Sequence, residues 1–218
     1  MVTVSHLVKK LVRENSFLLE AMSKELISYG NLAEQLKPEI EKELGKKVKE
    51  SAIVMALRRY AGELGGFDKN IKKFKFRGEI IMRTNIMDFN VVKSQSLLDK
   101  IKNLYSIVNF DQGDTLNIIL GNNEISIVVN EKYNEKLSNF LKGEKIINKE
   151  FDMVALTISF NSNNFLITPG VIFTAIRKLA WENINIYEIV STMTELTFIL
   201  SKKDSMKAYN MLNGLFEK

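Results

Sequence analysis

The hydrophobic pattern of this 218-residue chain changes at Gly65-Gly66, and this change constrains the fold more than any other feature. Before the glycine pair, apolar residues such as Leu7, Leu11 and Met22 recur at the three- or four-residue spacing of amphipathic helices. After it, short apolar runs predict β-strands with helical segments between them. The sequence therefore predicts an α+β protein with an all-helical domain at residues 1–66.

Capping residues give the expected limits of the helices in this first domain. Asn31 is predicted to cap a helix that Gly45 ends. Pro38 lies within that stretch and predicts a kink or two short helices meeting there. Ser51 is predicted to cap the next helix, which reaches Leu64.

The remainder of the chain alternates predicted strands and helices. Gly121-Asn122-Asn123 predicts a hairpin turn between two of the strands. The predicted strands are residues 74–82, 86–92, 106–110, 115–120, 124–130, 152–160, 184–190 and 195–200. The predicted helices are residues 96–104, 133–141, 171–183 and 204–215.

An internal repeat links the two parts of this region. Glu124–Asn130, followed by a helix ending at Gly143, parallels Glu195–Ser201, followed by a helix ending at Gly214. The constant spacing predicts two copies of a β-α-β-β-α unit, at residues 67–150 and 151–218. The second copy has no strand after its last helix, and residues 74–82 are one candidate for its closing strand.

A Pro-Gly turn lies between a strand and an amphipathic helix in the second copy, at Ile167-Thr168-Pro169-Gly170-Val171. Gly170 would let a ligand approach the backbone closely, and the N–H groups at the start of the next helix favour a carboxylate. Pro169 suits a first helical turn, where its missing N–H is not needed. An ordinary helix start explains the same residues, so the turn alone does not decide between the two interpretations.

Residues 151–216 resemble the ACT domain, specifically the second of the tandem copies in the regulatory region of aspartate kinases. The resemblance rests on Thr168-Pro169-Gly170-Val171 after the first strand, Phe173 and Leu179 on the helix, Asn183-Ile184-Asn185-Ile186 at the second strand, and residues 195–201 as the third. It implies two ferredoxin-like βαββαβ units that bind a small effector, typically an amino acid, between paired copies. The residues implied as ligand contacts are Leu166, Ile167, Thr168, Gly170, Val171, Asn185, Ile186 and Tyr187.

The first copy departs from this pattern. It has Lys93-Ser94-Gln95-Ser96 where the Pro-Gly turn would align, without Gly or Pro. One intact effector site is therefore expected, and the first copy is expected to serve mainly as a pairing surface. Homodimerisation follows from the resemblance, whereas kinase activity does not, because no aspartate kinase catalytic domain is recognised ahead of the two copies.

Composition excludes several classes of chemistry. The chain has no cysteine, and His6 is the only histidine, so thiolate metal sites and a histidine-based triad are not expected. The nearest carboxylate pairs, Asp111 with Asp114 and Glu182 with Glu188, lie in stretches explained as a turn or a surface face. We expect no enzyme activity, catalytic residue, metal or cofactor. No apolar run reaches a membrane span, and a cytoplasmic location is the default.

The first domain has the helix order of a helix-turn-helix or winged-helix-like domain. Residues 51–64 would be its recognition helix, with Met55 facing outward. Residues 1–65 carry eleven Lys/Arg against nine Asp/Glu, which is a weak footprint for a DNA reader. The candidate nucleic-acid contacts are Lys46, Lys47, Lys49, Arg58 and Arg59.

A basic run follows, and it has two interpretations of equal weight. It is either an edge strand protected by lysines against aggregation or a phosphate-contacting segment. Its members are Lys69, Lys72, Lys73, Lys75 and Arg77.

Two functions remain open. The first is a ligand-responsive regulator, in which amino-acid binding repositions the helical domain on DNA or another partner across a hinge at Gly65-Gly66. The second is a stand-alone regulatory subunit that docks on an enzyme of amino-acid metabolism.

Overall fold

The structure is a computed structural model that describes residues 2–64, 74, 76–161 and 164–216. The chain forms two compact units, Met1–Phe74 and Lys75–Lys218, here called the helical unit and the sheet unit. The predicted hinge at Gly65-Gly66 lies outside the described residues, as do Lys69, Lys72, Lys73 and Lys75 of the basic run.

The helical unit contains α1 (Val4–Glu14), α2 (Ser16–Ser23), α3 (Tyr29–Leu44) and α4 (Glu50–Glu63). Helix α1 packs against both α3 and α4 because each presents one apolar stripe. The shared core includes Leu7, Val8, Val12, Met22, Leu32, Ala33, Ile40, Ile53, Leu57 and Tyr60.

Two predicted caps in this unit are wrong. Helix α3 is capped by Ser28, whose hydroxyl accepts a hydrogen bond from the N–H of Asn31. The helix begins at Tyr29 rather than after Asn31 because Tyr29 packs against the core. Helix α4 begins after Lys49 without a side-chain cap, so Ser51 lies inside it.

The end of α3 agrees with the sequence. Gly45 ends the helix with a φ of 64°. Helix α3 is a single element through Pro38 rather than two short helices. Only the carbonyl of Glu34 loses a helical donor there.

The sheet unit contains one antiparallel sheet of six strands among its described residues, in the order β2-β3-β1-β4-β6-β5. The strands are β1 (Gly78–Val92), β2 (Leu116–Leu120), β3 (Glu124–Asn130), β4 (Ile146–Phe160), β5 (Ile186–Ser191) and β6 (Glu195–Ser201). The helices are α5 (Gln95–Ile101), α6 (Asn134–Phe140), α7 (Asn164–Ile167), α8 (Val171–Trp181) and α9 (Ser205–Asn213). We call the part from β1 to α6 the first half and the part from β4 to α9 the second half.

Strands β1 and β4 each have 15 residues, and each pairs with strands of both halves. The later part of β1 pairs with β3, while its start pairs with the end of β4, from Gly78 opposite Phe160 to Arg83 opposite Ala155. The start of β1 therefore provides the closing strand that the second half lacks, as residues 74–82 were predicted to do. The predicted strands 74–82 and 86–92 are one strand with a bulge, at which Asn85 has a φ of 56°.

Two further differences from prediction involve short apolar runs. Residues 106–110 were predicted as a strand but lie between the 3₁₀ turns Leu104–Ser106 and Phe110–Gln112. Val108 is buried in the core from this loop, so its apolar character reflects packing rather than strand pairing. Helix α7 was not predicted, because its short sequence lies next to a turn.

The sheet curls so that one of its faces becomes internal. Ile127 and Val129 of β3 pack with Leu97 of α5 and Leu137 of α6 on the helix-covered face. Val128 lies between them in the strand and points to the opposite face. It clusters there with Ile199 of β6, three strands away, and with Ile86, Met153 and Ala155. These residues line one face across four neighbouring strands, and this face curls over so that Glu188 of β5 reaches Ser126 of β3.

Gly78 is predicted to be essential for the pairing of β1 with β4. Its φ is 149°, and an added Cβ would lie 1.8 Å from the carbonyl oxygen of Ser159. We expect Gly78→Ala to destabilise the sheet unit by about 1–3 kcal/mol or more, because the backbone must move apart. Urea unfolding followed by circular dichroism measures this, and Glu79→Ala, at the exposed neighbouring position, should stay within about 0.5 kcal/mol of the wild type. Equal stability of the two variants would contradict the expectation.

Candidate functional site

The Pro-Gly turn lies on the surface of the second half, between α7 and α8. Ile167 is 78% exposed, whereas Val171 is 1% exposed and anchors the start of α8 in the core. Leu166 lies in α7, and its side chain is outside what the structure describes. We call residues 166–171 the Pro-Gly segment.

Backbone donors are available where this segment enters α8. Gly170 is the N-cap of the 11-residue helix with a φ of 91°, and no side chain caps the helix. The carbonyl of Gly170 accepts from the N–H and the hydroxyl of Thr174, at 2.9 and 2.8 Å. Within the described residues, no acceptor is bonded to the N–H groups of Ile172 and Phe173. Unpaired N–H groups at a helix start favour an anionic group.

The other predicted contacts lie where β5 begins. Asn185 and Tyr187 are exposed and Ile186 is half-buried. Strand β5 is at the edge of the sheet, so only β6 pairs with it among the described strands. Tyr187 and Ile189 are 41% and 42% exposed on this edge strand.

The two groups of predicted contacts lie at opposite ends of the second half. Leu196 of β6 pairs with Ser191, at the end of β5, on one side and with Ile158 of β4 on the other. Leu200 of β6 likewise pairs with Ile186 of β5 and with Val154 of β4. The Pro-Gly segment follows β4, so it lies beyond the Ile158 end. Four residues of strand separate the two levels by about 13 Å. One chain therefore does not bring the two groups together.

The five candidate nucleic-acid contacts of the helical unit are all exposed. Lys46, Lys47 and Lys49 are exposed in the connection between α3 and α4, and Arg58 and Arg59 are exposed on α4. None of the five forms an ion pair with a side chain in the described part of the chain. Met55 is also exposed on α4, as predicted.

A buried carboxyl group was missed by the sequence interpretation. Asp88 is 2% exposed, and its oxygens accept hydrogen bonds from Ser126 Oγ at 2.8 Å and from Asn90 Nδ2 at 3.0 Å. Burial raises the pKa of Asp88, which the two hydrogen bonds oppose and the charges of Glu150 and Glu124 reinforce. An acidic residue within an apolar strand was the available signal.

Glu188 faces the same region from β5. Burial raises its pKa, contact with Ser126 lowers it, and the charges of Asp88 and Glu124 raise it. The Ser126 hydroxyl hydrogen is donated to Asp88, so it cannot also satisfy an ionised Glu188. Glu188 is half-buried on this edge strand, and the curl of the sheet turns its side of β5 towards Ser126 of β3.

Other groups do not converge on the predicted contacts. Asp114 accepts from the Tyr133 hydroxyl and pairs with Lys132, and Glu182 pairs with Lys207.

A depression of about 580 Å³ lies in the first half, around residues 106–112, away from the Pro-Gly segment. Among the described residues, no three acidic or histidine side chains are grouped to hold a metal ion, and no helix is long and apolar enough to span a membrane.

Comparison with known proteins identifies the kind of fold that the sheet unit has. No protein-family model matches the sequence, and no curated protein shows significant sequence similarity to it. The fold is similar to that of regulatory subunits of aspartate kinases, so the predicted ACT-like fold is confirmed.

Three solved structures illustrate the likeness. The ligand-free regulatory subunit of aspartate kinase from Thermus thermophilus has a TM-score of 0.53 at 14% identity, over 66% of this chain and 100% of that chain. Aspartate kinase from Clostridium acetobutylicum has a TM-score of 0.53 at 16% identity, over 67% and 37% of the two chains. A structure of aspartokinase alpha and beta subunits has a TM-score of 0.52 at 18% identity, over 64% and 98%.

The carboxyl groups of Asp88 and Glu188 generate a prediction about how stability depends on pH. Both folded-state pKa values are raised, so the folded state holds more protons than the unfolded state above pH ~4, and stability falls as pH rises through the raised values. Asp114 and Glu144, whose pKa values are lowered, act in the opposite direction but only below about pH 5. We therefore expect the free energy of unfolding, measured in urea, to decrease as pH rises above the ordinary carboxyl range of about 4 to 5.

Asp88→Asn should flatten this decrease, because a neutral amide stays uncharged over the whole range. Glu135→Gln, at an exposed position on α6, should leave the slope unchanged. The same slope in Asp88→Asn and in the wild type would show that Asp88 does not hold a proton in the folded protein.

Proposed function

We propose that this protein is a small-molecule-sensing regulatory protein whose effector is an amino acid or a similar small carboxylate. The observation that carries the proposal is the uncapped start of α8 beside the exposed Pro-Gly segment, on a sheet that shares its fold with aspartate kinase regulatory subunits. Nothing in this arrangement requires a catalytic residue or a cofactor. The protein therefore acts through binding rather than through chemistry.

The Pro-Gly segment supplies the contacts for the carboxylate. The N–H groups of Ile172 and Phe173 are the donors, and Gly170 has no side chain to obstruct them. Thr168 and Ile167 form the neighbouring wall of the site, and Val171 holds the segment against the core. These contacts suit the carboxylate of an amino acid and leave its side chain to be recognised by other residues.

The remaining contacts come from a second copy of the chain. Antiparallel pairing of β5 with the β5 of a second copy would place residues 185–187 of one chain beside the Ser191 end of the other. The Pro-Gly segment of that other chain lies at the same end. The two groups of predicted contacts, which are far apart within one chain, would thus lie close together between two chains. Exposed Tyr187 and Ile189 on the unpaired edge favour this homodimer.

Residues 67–218 comprise two ACT-like βαββαβ units, at residues 67–150 and 151–218, that exchange strands β1 and β4. The complete effector loop belongs to the second unit. The first unit has a two-residue connection, Lys93-Ser94, between β1 and α5, which is too short to form an equivalent loop.

The predicted helical domain at residues 1–66 transmits the response to a partner. Exposed Lys46, Lys47, Lys49, Arg58 and Arg59 favour a helix-turn-helix-like role in which α4 and the preceding connection contact DNA phosphates. This role makes the protein a ligand-responsive transcriptional regulator. Exposed Met55 favours the second candidate, a regulatory subunit that docks on an enzyme of amino-acid metabolism.

Effector binding is tested by isothermal titration with the twenty amino acids. We expect at least one to bind and to stabilise the protein by about 2.7 kcal/mol at a free concentration of 100 Kd. Ile189→Lys should abolish both self-association, measured by sedimentation, and binding, because a lysine on the edge strand opposes strand pairing. Met206→Lys, at a position on α9 that is 62% exposed, introduces the same charge and should change neither.

Two outcomes would contradict this part of the proposal. A folded protein that binds none of the amino acids excludes amino-acid sensing. Full binding by a monomeric Ile189→Lys variant excludes a site shared between two chains.

DNA binding is tested by gel shifts with genomic fragments at several salt concentrations. If α4 contacts phosphates, affinity should fall steeply with salt, and Arg58→Ala combined with Arg59→Ala should reduce the slope of log K against log salt by about 2. Lys10→Ala combined with Lys24→Ala removes the same charge from residues that pair with Glu43 and Glu20, and should have a smaller effect. No binding at low salt would favour the enzyme-docking candidate.

A further inference from the structure

Glu144 makes an unusual set of contacts at the start of α5. Its Oε2 accepts from Ser94 Oγ at 2.7 Å, and its Oε1 accepts from Ser96 Oγ at 2.8 Å and from Lys100 Nζ at 2.9 Å. The side chain is 5% exposed, although Lys100 is 40% exposed. Three donors from one short stretch of chain thus enclose a single carboxylate.

The carboxylate is held in its charged form. The hydrogen bond from Lys100, followed by those from Ser94 and Ser96, lowers the pKa of Glu144 to about 2. Such an arrangement has the donor set of a carboxylate-binding site: a cation and two hydroxyl groups aimed at one acceptor pair. Here the carboxylate belongs to the chain itself.

The second half lacks this arrangement. A spacing of 71 residues relates β3 to β6 and Gly143 to Gly214, so Leu215 takes the place of Glu144. The N-cap of α8 is Gly170, whereas that of α5 is Ser94, which also accepts from the N–H of Leu97 at 3.0 Å. The two halves therefore share a fold but differ in whether an internal carboxylate fills this position.

We infer that the first half contains a carboxylate-binding site, formed by Ser94, Ser96 and Lys100, that Glu144 occupies as an internal ligand. Glu144 closes this site to external carboxylates, so the chain responds to an effector through the second half alone. Removing the Glu144 carboxylate opens a site for a small carboxylate of the acetate class. The deleted atoms in Glu144→Ala, one methylene and one carboxylate, correspond to acetate.

Chemical rescue tests the inference. Thermal unfolding of full-length Glu144→Ala is followed in sodium acetate and in sodium chloride at equal ionic strength. We expect acetate to raise the melting temperature saturably, by about 2–4 °C, and to have no such effect on the wild type. If the variant does not fold in chloride, refolding in acetate is the same test, and recovery of the circular dichroism signal is expected.

Two further variants define specificity. Adding Lys100→Met to Glu144→Ala should remove the rescue, because the cation is lost. Glu144→Gln retains the side-chain volume and should gain nothing from acetate. Rescue reports on the first half alone, so it is independent of effector binding by the second half. Absence of rescue, or an equal shift in the wild type, would overturn the inference.

Discussion

The pairing of β1 with β4 determines whether the sheet unit can exist. Each half contains only three strands of its own, and each needs the long strand of the other half to complete a four-stranded sheet. Separated from β1, the second half would expose the unpaired edge of β4, and an exposed apolar edge promotes aggregation. The two halves must therefore fold together, and the close approach at Gly78 lies within the pairing that joins them.

The same shared strands also produce the acidic interior. Both are irregular near their middle, where Asn85 and Asp152 have positive φ values of 56° and 53°. The sheet changes direction there, and its uncovered face closes on itself around Ile86, Val128 and Ile199. Asp88 and Glu188 come together because of this closure, not because they are near in sequence or adjacent in the sheet. Like charges in such a place favour retention of a proton over ionisation of both groups.

Local patterns predicted local structure well. Strand β3 and most of β6 were predicted closely because each is a short continuous apolar run, and the Gly121 turn marks the start of β3. The α3 cap was misplaced because Ser28 and Asn31 are both good caps, and packing of Tyr29 decides between them. The Pro-Gly segment was recognised from its own residues, but its distance from residues 185–187 depends on strand register across β4, β6 and β5. The approach of Glu188 to Asp88 was not predicted for the same reason, since curvature is a property of the whole sheet.

The two halves show how little a shared fold says about a shared site. Both place a helix start after a long central strand, and both must satisfy the polar groups found there. The first half does so internally, with Ser94, Lys100 and the carboxylate of Glu144. The second half has Gly170 as the N-cap of α8 and leaves the N–H groups of Ile172 and Phe173 without a partner in the described chain. The two halves thus have one helix start whose polar groups are hydrogen-bonded within the chain and one with two N–H groups that have no partner among the described residues. The difference between the two helix starts therefore resides in a few side chains rather than in the topology.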